Sequence, residues 1–108
     1  MPDFNGLNSI STRMHSFLII SGLISSNKRL EFEHTFRIGL NALTRNCISS
    51  DLSVDTSNKG VYRFFSVWAS EDAVDDFRKS AEFQLLNGAF HTLGSAIEIN
   101  TGSFRLTP

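Results

Sequence analysis

Residues 61–70, Val-Tyr-Arg-Phe-Phe-Ser-Val-Trp-Ala-Ser, most constrain how this chain can fold. Successive side chains of a β-strand point to opposite faces of the sheet. Both faces of this strand would be largely apolar, one with Tyr62, Phe64, Ser66 and Trp68 and the other with Val61, Phe65, Val67 and Ala69. An antiparallel strand with one face in water normally alternates between apolar and polar residues. We therefore predict a strand that is covered on two sides.

Length, charge and cysteine content narrow the class of protein. A chain of 108 residues suits one domain, and we expect an N-terminal arm at residues 1–14 followed by a single domain at 15–108. The net charge is −1 and no basic run occurs, which argues against a nucleic-acid partner. With Cys47 as the only cysteine, no intramolecular disulfide can form, so a reducing compartment and the cytoplasm are the expectation. The apolar run at 17–24 is far below the ~20 residues of a membrane-spanning helix, so no membrane partner is expected.

The periodicity of apolar residues predicts six elements. They are strand one at 15–24, helix one at about 27–45, strand two at 47–56, strand three at 61–70, a helix from a Ser70 cap to about 81 with a second helical piece ending near Leu93, and strand four at 95–101. Residues 57–60 would form the hairpin turn between strands two and three. The order β-α-β-β-α-β with right-handed crossovers predicts an α+β, ferredoxin-like sandwich with an antiparallel sheet.

Local patterns add three expectations. Glu33 and Arg37 lie four residues apart and should pair on helix one. In strand two, one face should carry Ile48, Leu52 and Val54, and the other should carry Cys47, Ser49, Asp51, Ser53 and Asp55. Gly94 is expected to cap the second helical piece.

The two helices of such a sandwich cover only one face of the sheet. Strands one and three are apolar on the other face as well, and a bare apolar sheet marks an interface. We therefore predict a homodimer in which the open sheet faces pack together around a two-fold axis.

The segment Phe65-Ser-Val-Trp68-Ala-Ser70-Glu-Asp-Ala-Val74, followed by Phe77, Ser80 and Phe83, resembles the antibiotic biosynthesis monooxygenase family. The turn Thr44-Arg45-Asn46-Cys47 before strand two is also similar, and the resemblance extends over residues 15–100. It implies a dimeric α+β barrel. The family includes cofactor-free oxygenases that convert quinols to quinones, a haem-degrading branch, and proteins with no established activity.

The resemblance also implies roles for individual residues. Trp68 matches a strand-three Trp that lines a cavity between helices and sheet. The haem-degrading branch requires an Asn in strand one and a His in helix two, where this chain has Ser21 and Arg78. Haem degradation is therefore disfavoured, and we expect no cofactor. The family often has an acidic residue two positions before the Trp, where this chain has Ser66.

The candidate catalytic residues are Trp68, which would hold an aromatic ring, and Tyr62 or His91, which would meet its hydroxyl group. The candidate pocket residues are Ser21, Phe36, Phe64, Phe77 and Phe83. The alternative for the aromatic residues is an ordinary core, and for His91 a surface or capping role. His15, His34 and His91 lack the spacing of metal ligands, so no metal is predicted. Cys47 is predicted to be a packed or edge thiol.

Two hypotheses of different class follow. The first is a cofactor-independent monooxygenase that oxidises a quinol or phenol with O₂ in an apolar pocket. The second is a dimeric small-molecule-binding or stress-response domain of the same fold without catalysis. A cavity open to solvent beside Trp68 would favour the first, and complete filling of that space by Phe side chains would favour the second.

Overall fold

The computed structural model describes residues 14–43 and 47–105. The strands are β1 (Met14–Ile24), β2 (Cys47–Val54), β3 (Val61–Trp68) and β4 (Gly94–Arg105), and the helices are α1 (Arg29–Asn41), α2 (Glu71–Arg78) and α3 (Ala81–Leu93). A 3₁₀ turn at Ser26–Lys28 leads into α1. The predicted N-terminal arm lies outside the described residues apart from Met14, which begins β1.

The four strands form one antiparallel sheet in the order β2-β3-β1-β4. This arrangement confirms the predicted ferredoxin-like α+β fold. The two longest strands, β1 and β4, pair along most of their length, while β3 lies between β1 and β2. The sheet of a single chain is not closed, because β2 and β4 are edge strands.

Two serine caps divide the second helical region. Ser70 Oγ accepts a hydrogen bond from the Ala73 amide at 3.2 Å and begins α2, and Ser80 Oγ accepts one from the Phe83 amide at 3.1 Å and begins α3. A residue with extended backbone at Ser80 cannot continue the preceding helix, so α2 ends at Arg78. The predicted break between two helical pieces is therefore present, and it lies at residues 79–80.

Gly94 follows α3 as its C-terminal cap, but its φ of −129° is extended rather than left-handed. Glycine is required here because of crowding. A Cβ atom would lie 2.6 Å from Ile24 Cδ1 and 2.8 Å from the carbonyl oxygen of Phe90.

The prediction for the faces of β2 was confirmed for Leu52 and Val54, which lie opposite the buried Phe64 and Tyr62, and was wrong for Cys47 and Ile48. Cys47 lies opposite Trp68 and Ser49 lies opposite Val67, so Ile48 is an extra residue in a β-bulge. The bulge turns Cys47 towards the core and leaves Ile48 half exposed. A period of two cannot predict a face across a bulge, because the extra residue reverses the alternation.

The predicted Glu33–Arg37 pair was also wrong. In residues 14–43 and 47–105, the one ion pair joins Arg63 Nη1 to Asp55 Oδ2 at 3.2 Å in the β2–β3 hairpin. Hydrogen bonds from the amides of the hairpin turn, together with Arg63, lower the pKa of Asp55. The carboxylate of Glu33 has a different partner, described below.

The core lies between the helices and one face of the sheet, and it is dominated by aromatic rings. Its fully buried members are Leu18, Ile20, Ile24, Phe32, Phe36, Phe64, Leu86 and Phe90. Helices α1 and α3 approach closely at Gly39, where a Cβ atom would lie 2.5 Å from Leu86 Cδ2. The absence of a side chain at Gly39 therefore allows the two helices to pack tightly over the sheet.

The other sheet face carries a row of aromatic rings that α1, α2 and α3 do not cover. Phe17 stacks on Phe65 with ring centroids 6.4 Å apart, and it lies at the same distance from Phe104. Gly102 leaves space for the Phe17 ring, since a Cβ there would lie 2.5 Å from Phe17 Cζ. Phe65 is 40% exposed. We call this surface the open face.

In the described part of the chain, no helix is both long and apolar enough to cross a membrane.

Candidate functional site

Trp68, at the end of β3, is buried in the core. Its side chain is 1% exposed, and the ring stacks on Phe77 with centroids 4.4 Å apart. The indole Nε1 donates a hydrogen bond to Ser66 Oγ at 2.8 Å, and Ser66 Oγ donates to the carbonyl oxygen of Leu18 at 2.8 Å. The polar atom and one ring face of Trp68 are thus satisfied by protein groups, which leaves the indole no free donor for a ligand.

The four predicted pocket phenylalanines are buried and contact other aromatic rings. Phe77 meets Phe83 edge to face at 5.4 Å, and Phe36 meets Phe64 in the same way at 5.4 Å. Such contacts are typical of a packed core. The aromatic side chains beneath the helices therefore fill space at the position where a cavity beside Trp68 was expected.

The remaining predicted residues lie apart from Trp68. Ser21 pairs with Arg63 and Glu98 on the open face, so the sheet separates it from the indole. His91 is exposed in the last turn of α3. The structure does not bring Ser21, His91 and Trp68 together.

Tyr62, at the beginning of β3, has a different environment. It borders a groove of about 310 Å³ between α1 and β2. The other residues that line the groove are Glu33, Arg37 and Leu40 from α1 and Asp51, Leu52 and Val54 from β2. The groove is open to solvent and combines three apolar side chains, Leu40, Leu52 and Val54, with three charged ones, Glu33, Arg37 and Asp51.

The hydroxyl group of Tyr62 donates a hydrogen bond to Glu33 Oε2. Burial raises the pKa of Tyr62 to about 12, and the hydrogen bond and negative charge of Glu33 act in the same direction, while Arg29 opposes them. Tyr62 is therefore a protonated donor at neutral pH. Among the described residues, no group donates a hydrogen bond to the second oxygen of Glu33, Oε1.

Sequence reasoning missed Glu33 as a site residue, because it treated Glu33 only as a partner of Arg37. The topology contains a signal that would have found it. β1 and β3 are antiparallel, with Leu23 opposite Val61. The first residues of β3 therefore lie beside the last residues of β1, close to the point where α1 starts. An acidic residue in the second turn of α1 therefore lies near the first residues of β3.

Within the described residues, no group of three His, Cys, Asp or Glu side chains is arranged to hold a metal ion. Burial raises the pKa of the Cys47 thiol, whose Sγ donates to the carbonyl oxygen of Ser49 at 3.2 Å. A thiol with a raised pKa is a poor nucleophile at neutral pH. The groove at Tyr62 and Glu33 is the place where a predicted candidate residue is hydrogen-bonded to a charged side chain.

Comparison with protein families gives a match to the model of antibiotic biosynthesis monooxygenases over residues 24–88, more than half of the chain. The chain belongs to the antibiotic biosynthesis monooxygenase family. The matched segment contains Glu33, Tyr62 and Trp68, whereas Ser21 and His91 lie outside it. No curated protein matches the chain.

Solved structures show the same fold. A conserved protein from Methanosarcina mazei Go1 superposes with a TM-score of 0.72 at 14% identity, covering 86% of this chain and 93% of that one. A protein from Mycobacterium tuberculosis gives a TM-score of 0.68 at 14% identity, with 87% and 96% covered. An antibiotic biosynthesis monooxygenase gives 0.68 at 17% identity, with 86% and 99% covered. At such identities these similarities establish the fold of this family member and leave its substrate to be argued from the site.

Proposed function

We propose that this member of the antibiotic biosynthesis monooxygenase family is a cofactor-independent monooxygenase that oxidises a quinol or phenol with O₂. One observation supports the proposal most strongly. The groove between α1 and β2 has apolar walls and a carboxylate, Glu33, that already accepts a hydrogen bond from a phenolic hydroxyl group, that of Tyr62. Membership of the family supports the oxygenase class.

The proposed reaction needs no external reductant. A phenol would be converted to a quinone, with one atom of O₂ entering the product as a carbonyl oxygen and the other leaving as water. A quinol would give a hydroxyquinone and water in the same way. In each case the substrate supplies all four electrons that reduce O₂, so an apolar site that holds an ionisable aromatic hydroxyl group is sufficient.

In this proposal the site lies at the Tyr62 end of β3. Tyr62 keeps its predicted position next to a substrate hydroxyl group, and Leu52 and Val54 contact the ring. Trp68 supports β3 from the core, and His91 has no part in the chemistry.

The test is O₂ uptake by the purified protein with a panel of hydroquinones and naphthols, followed by analysis of the product after reaction with ¹⁸O₂. We expect one ¹⁸O atom in the product and one in water. Val54→Trp, which would fill the groove, should lower kcat/KM by at least about tenfold, whereas Ile48→Trp on the same strand, outside the groove, should not. O₂ uptake no faster than without protein across the panel would reject the proposal.

We also propose that the protein is a homodimer through the open face. The aromatic row of Phe17, Phe65 and Phe104 supports this, because exposed apolar patches on a sheet mark interfaces. Sedimentation should give a dimer at micromolar concentration. Phe65→Asp should shift it to monomer, and Leu85→Asp, an exposed apolar residue of α3, should not. A wild-type protein that sediments as a monomer would contradict this interface.

The second candidate function is a non-catalytic, dimeric binding domain. The closed aromatic packing around Trp68 favours it, since the cavity expected there is filled by Phe77 and its neighbours. Under this alternative, quinones or phenols bind in the groove with measurable affinity and no O₂ is consumed. Binding without turnover in the experiment above would identify this function.

A further inference from the structure

We propose that Glu33 accepts the hydroxyl proton of a phenolic substrate bound in the groove between α1 and β2, through its Oε1 atom. This inference rests on the proposed function and adds a catalytic residue to it. The sequence predicted Tyr62 or His91 next to the substrate hydroxyl group and did not settle which residue accepts its proton.

Tyr62 supplies the first argument, because it is a phenol that is already bound to Glu33. Its hydroxyl group donates to Oε2. A carboxylate has two oxygens and about four lone-pair positions, so it can accept a second phenolic hydroxyl group while the first stays in place. The hydrogen bond from Tyr62 also fixes the orientation of the carboxylate, which reduces the entropy lost when the substrate binds.

The position of Glu33 supplies the second argument. Its side chain is half buried at the wall of the groove, next to the apolar side chains of Leu40 and Leu52. Leu40 and Leu52 reduce the exposure of the carboxylate to water, and partial burial strengthens a hydrogen bond between a hydroxyl group and a carboxylate. The site thus has an oriented, partly buried acceptor.

The charges that face Glu33 are consistent with this role. Arg37 and Asp51 line the same groove, and Arg29 is close enough to act on Tyr62. The Arg37 guanidinium would favour the negative charge of the superoxide that forms when the substrate ring passes an electron to O₂. Tyr62 cannot compete for the proton, because it is itself protonated below a pKa of about 12.

The proton step is balanced with the electron step. A neutral phenol is a weaker acid than a carboxylic acid, but it becomes strongly acidic when its ring passes one electron to O₂. The O–H bond then breaks, the proton moves to Glu33 Oε1, and the products are a neutral phenoxyl radical, superoxide and a protonated carboxyl group. Later in the reaction, Glu33 returns the proton to the oxygen that leaves as water.

The kinetic test compares Glu33→Gln with Glu31→Gln, an exposed residue on the same helix that lies outside the groove. The amide oxygen of Gln can still accept the Tyr62 hydrogen bond, so the fold should persist, which far-UV circular dichroism will check. General acid–base catalysis contributes roughly 10²–10⁴-fold, so Glu33→Gln should lower kcat by at least about 100-fold, and loss of the carboxylate that binds the substrate hydroxyl group should also raise KM. Glu31→Gln should keep wild-type values. Wild-type kcat in Glu33→Gln would overturn the inference and leave the proposed monooxygenase intact.

A binding test separates this inference from the proposed function. 4-Nitrophenol carries a phenolic hydroxyl group, and its absorption band moves to longer wavelength when that group donates to a carboxylate. At a pH below its pKa, we expect binding with a red shift to wild type and to Glu31→Gln, and at least tenfold weaker binding without the shift to Glu33→Gln. That result in a protein that consumes no O₂ would support Glu33 as the acceptor while rejecting the oxygenase. Equal binding to all three proteins, or no binding, would overturn the assignment of Glu33.

Discussion

The two ends of β3 carry the only Tyr and the only Trp of the chain, and their surroundings differ. Both side chains are at least 98% buried on the same face of the sheet, and both have one polar atom to satisfy. Trp68 bonds to Ser66, whose hydroxyl group donates to a backbone carbonyl group of the neighbouring strand. Tyr62 bonds to Glu33, a charged residue that also lines a groove.

In the proposed function Tyr62 belongs to the site and Trp68 to the core although both are buried, so burial does not distinguish them. Their hydrogen-bond partners do. A partner that is neutral and enclosed, such as Ser66, completes the core, whereas a partner that is charged and reaches a groove can also bind a ligand. We therefore expect changes at the Trp68 end to affect stability and changes at the Tyr62 end to affect binding and titration.

The largest effect should come from Trp68→Ala. Replacement of a buried Trp or Phe by Ala costs about 3–5 kcal/mol, and we expect that loss in the free energy of unfolding, measured with urea. Phe65→Ala, on the same strand but at a residue that is 40% exposed, should lower the free energy of unfolding by less. The two variants should be measured at a protein concentration where they have the same oligomeric state. A loss below about 1 kcal/mol for Trp68→Ala, together with weaker substrate binding, would indicate that Trp68 contacts the substrate and not only the core.

A smaller effect is expected from Ser66→Ala. This change removes the acceptor of the Trp68 indole N–H group, and a buried donor without a partner costs about 1–3 kcal/mol. Ser53→Ala provides the control, because the exposed Ser53 hydroxyl group makes only a long hydrogen bond of 3.4 Å to the Arg63 carbonyl group. If the two variants lose equal stability, the chain of hydrogen bonds at Trp68 does not hold the core together.

Much of the fold was predictable, because its signals are local. The alternation in β3, the serine caps at Ser70 and Ser80, and the turn residues at 57–60 each fix the backbone through neighbours in the sequence. The bulge at Ile48 was not predictable in this way, since it depends on how β2 pairs with β3. Cys47 and Ile48 were therefore assigned to the wrong faces, whereas Leu52 and Val54, beyond the bulge, were assigned correctly.

The candidate site was less predictable, because it is built by contacts between distant residues. Tyr62 was identified from its residue type, but its partner Glu33 lies 29 positions away and had a simpler explanation within its own helix. The family resemblance directed attention to Trp68, and the family was correct. However, the resemblance could not show that Phe77 and Ser66 satisfy the indole in this chain.

The most direct comparison of the two ends uses the titration of Tyr62. It is the only Tyr, so tyrosinate absorbance near the red edge of the protein spectrum reports on this residue alone. We expect a midpoint at about 12, raised from 10.0 by burial and by Glu33. Glu33→Gln should lower it towards the ordinary value because it removes the negative charge, and Glu31→Gln should not. An unchanged midpoint in Glu33→Gln would mean that burial alone holds the proton on Tyr62.

The same raised pKa has a consequence for stability. Since the folded state holds the Tyr62 proton more tightly than the unfolded state, its contribution to the free energy of unfolding is complete below pH 10 and is lost as the pH rises to about 12. In that range, the stability of the wild type should fall more steeply than that of Tyr62→Phe, which has no proton to lose. Trp68 has no titrating group, so it cannot cause this difference. Parallel curves for wild type and Tyr62→Phe would show that folding does not raise the pKa of Tyr62, and the Tyr62 end would then resemble the Trp68 end in having a stability that does not depend on pH in this range.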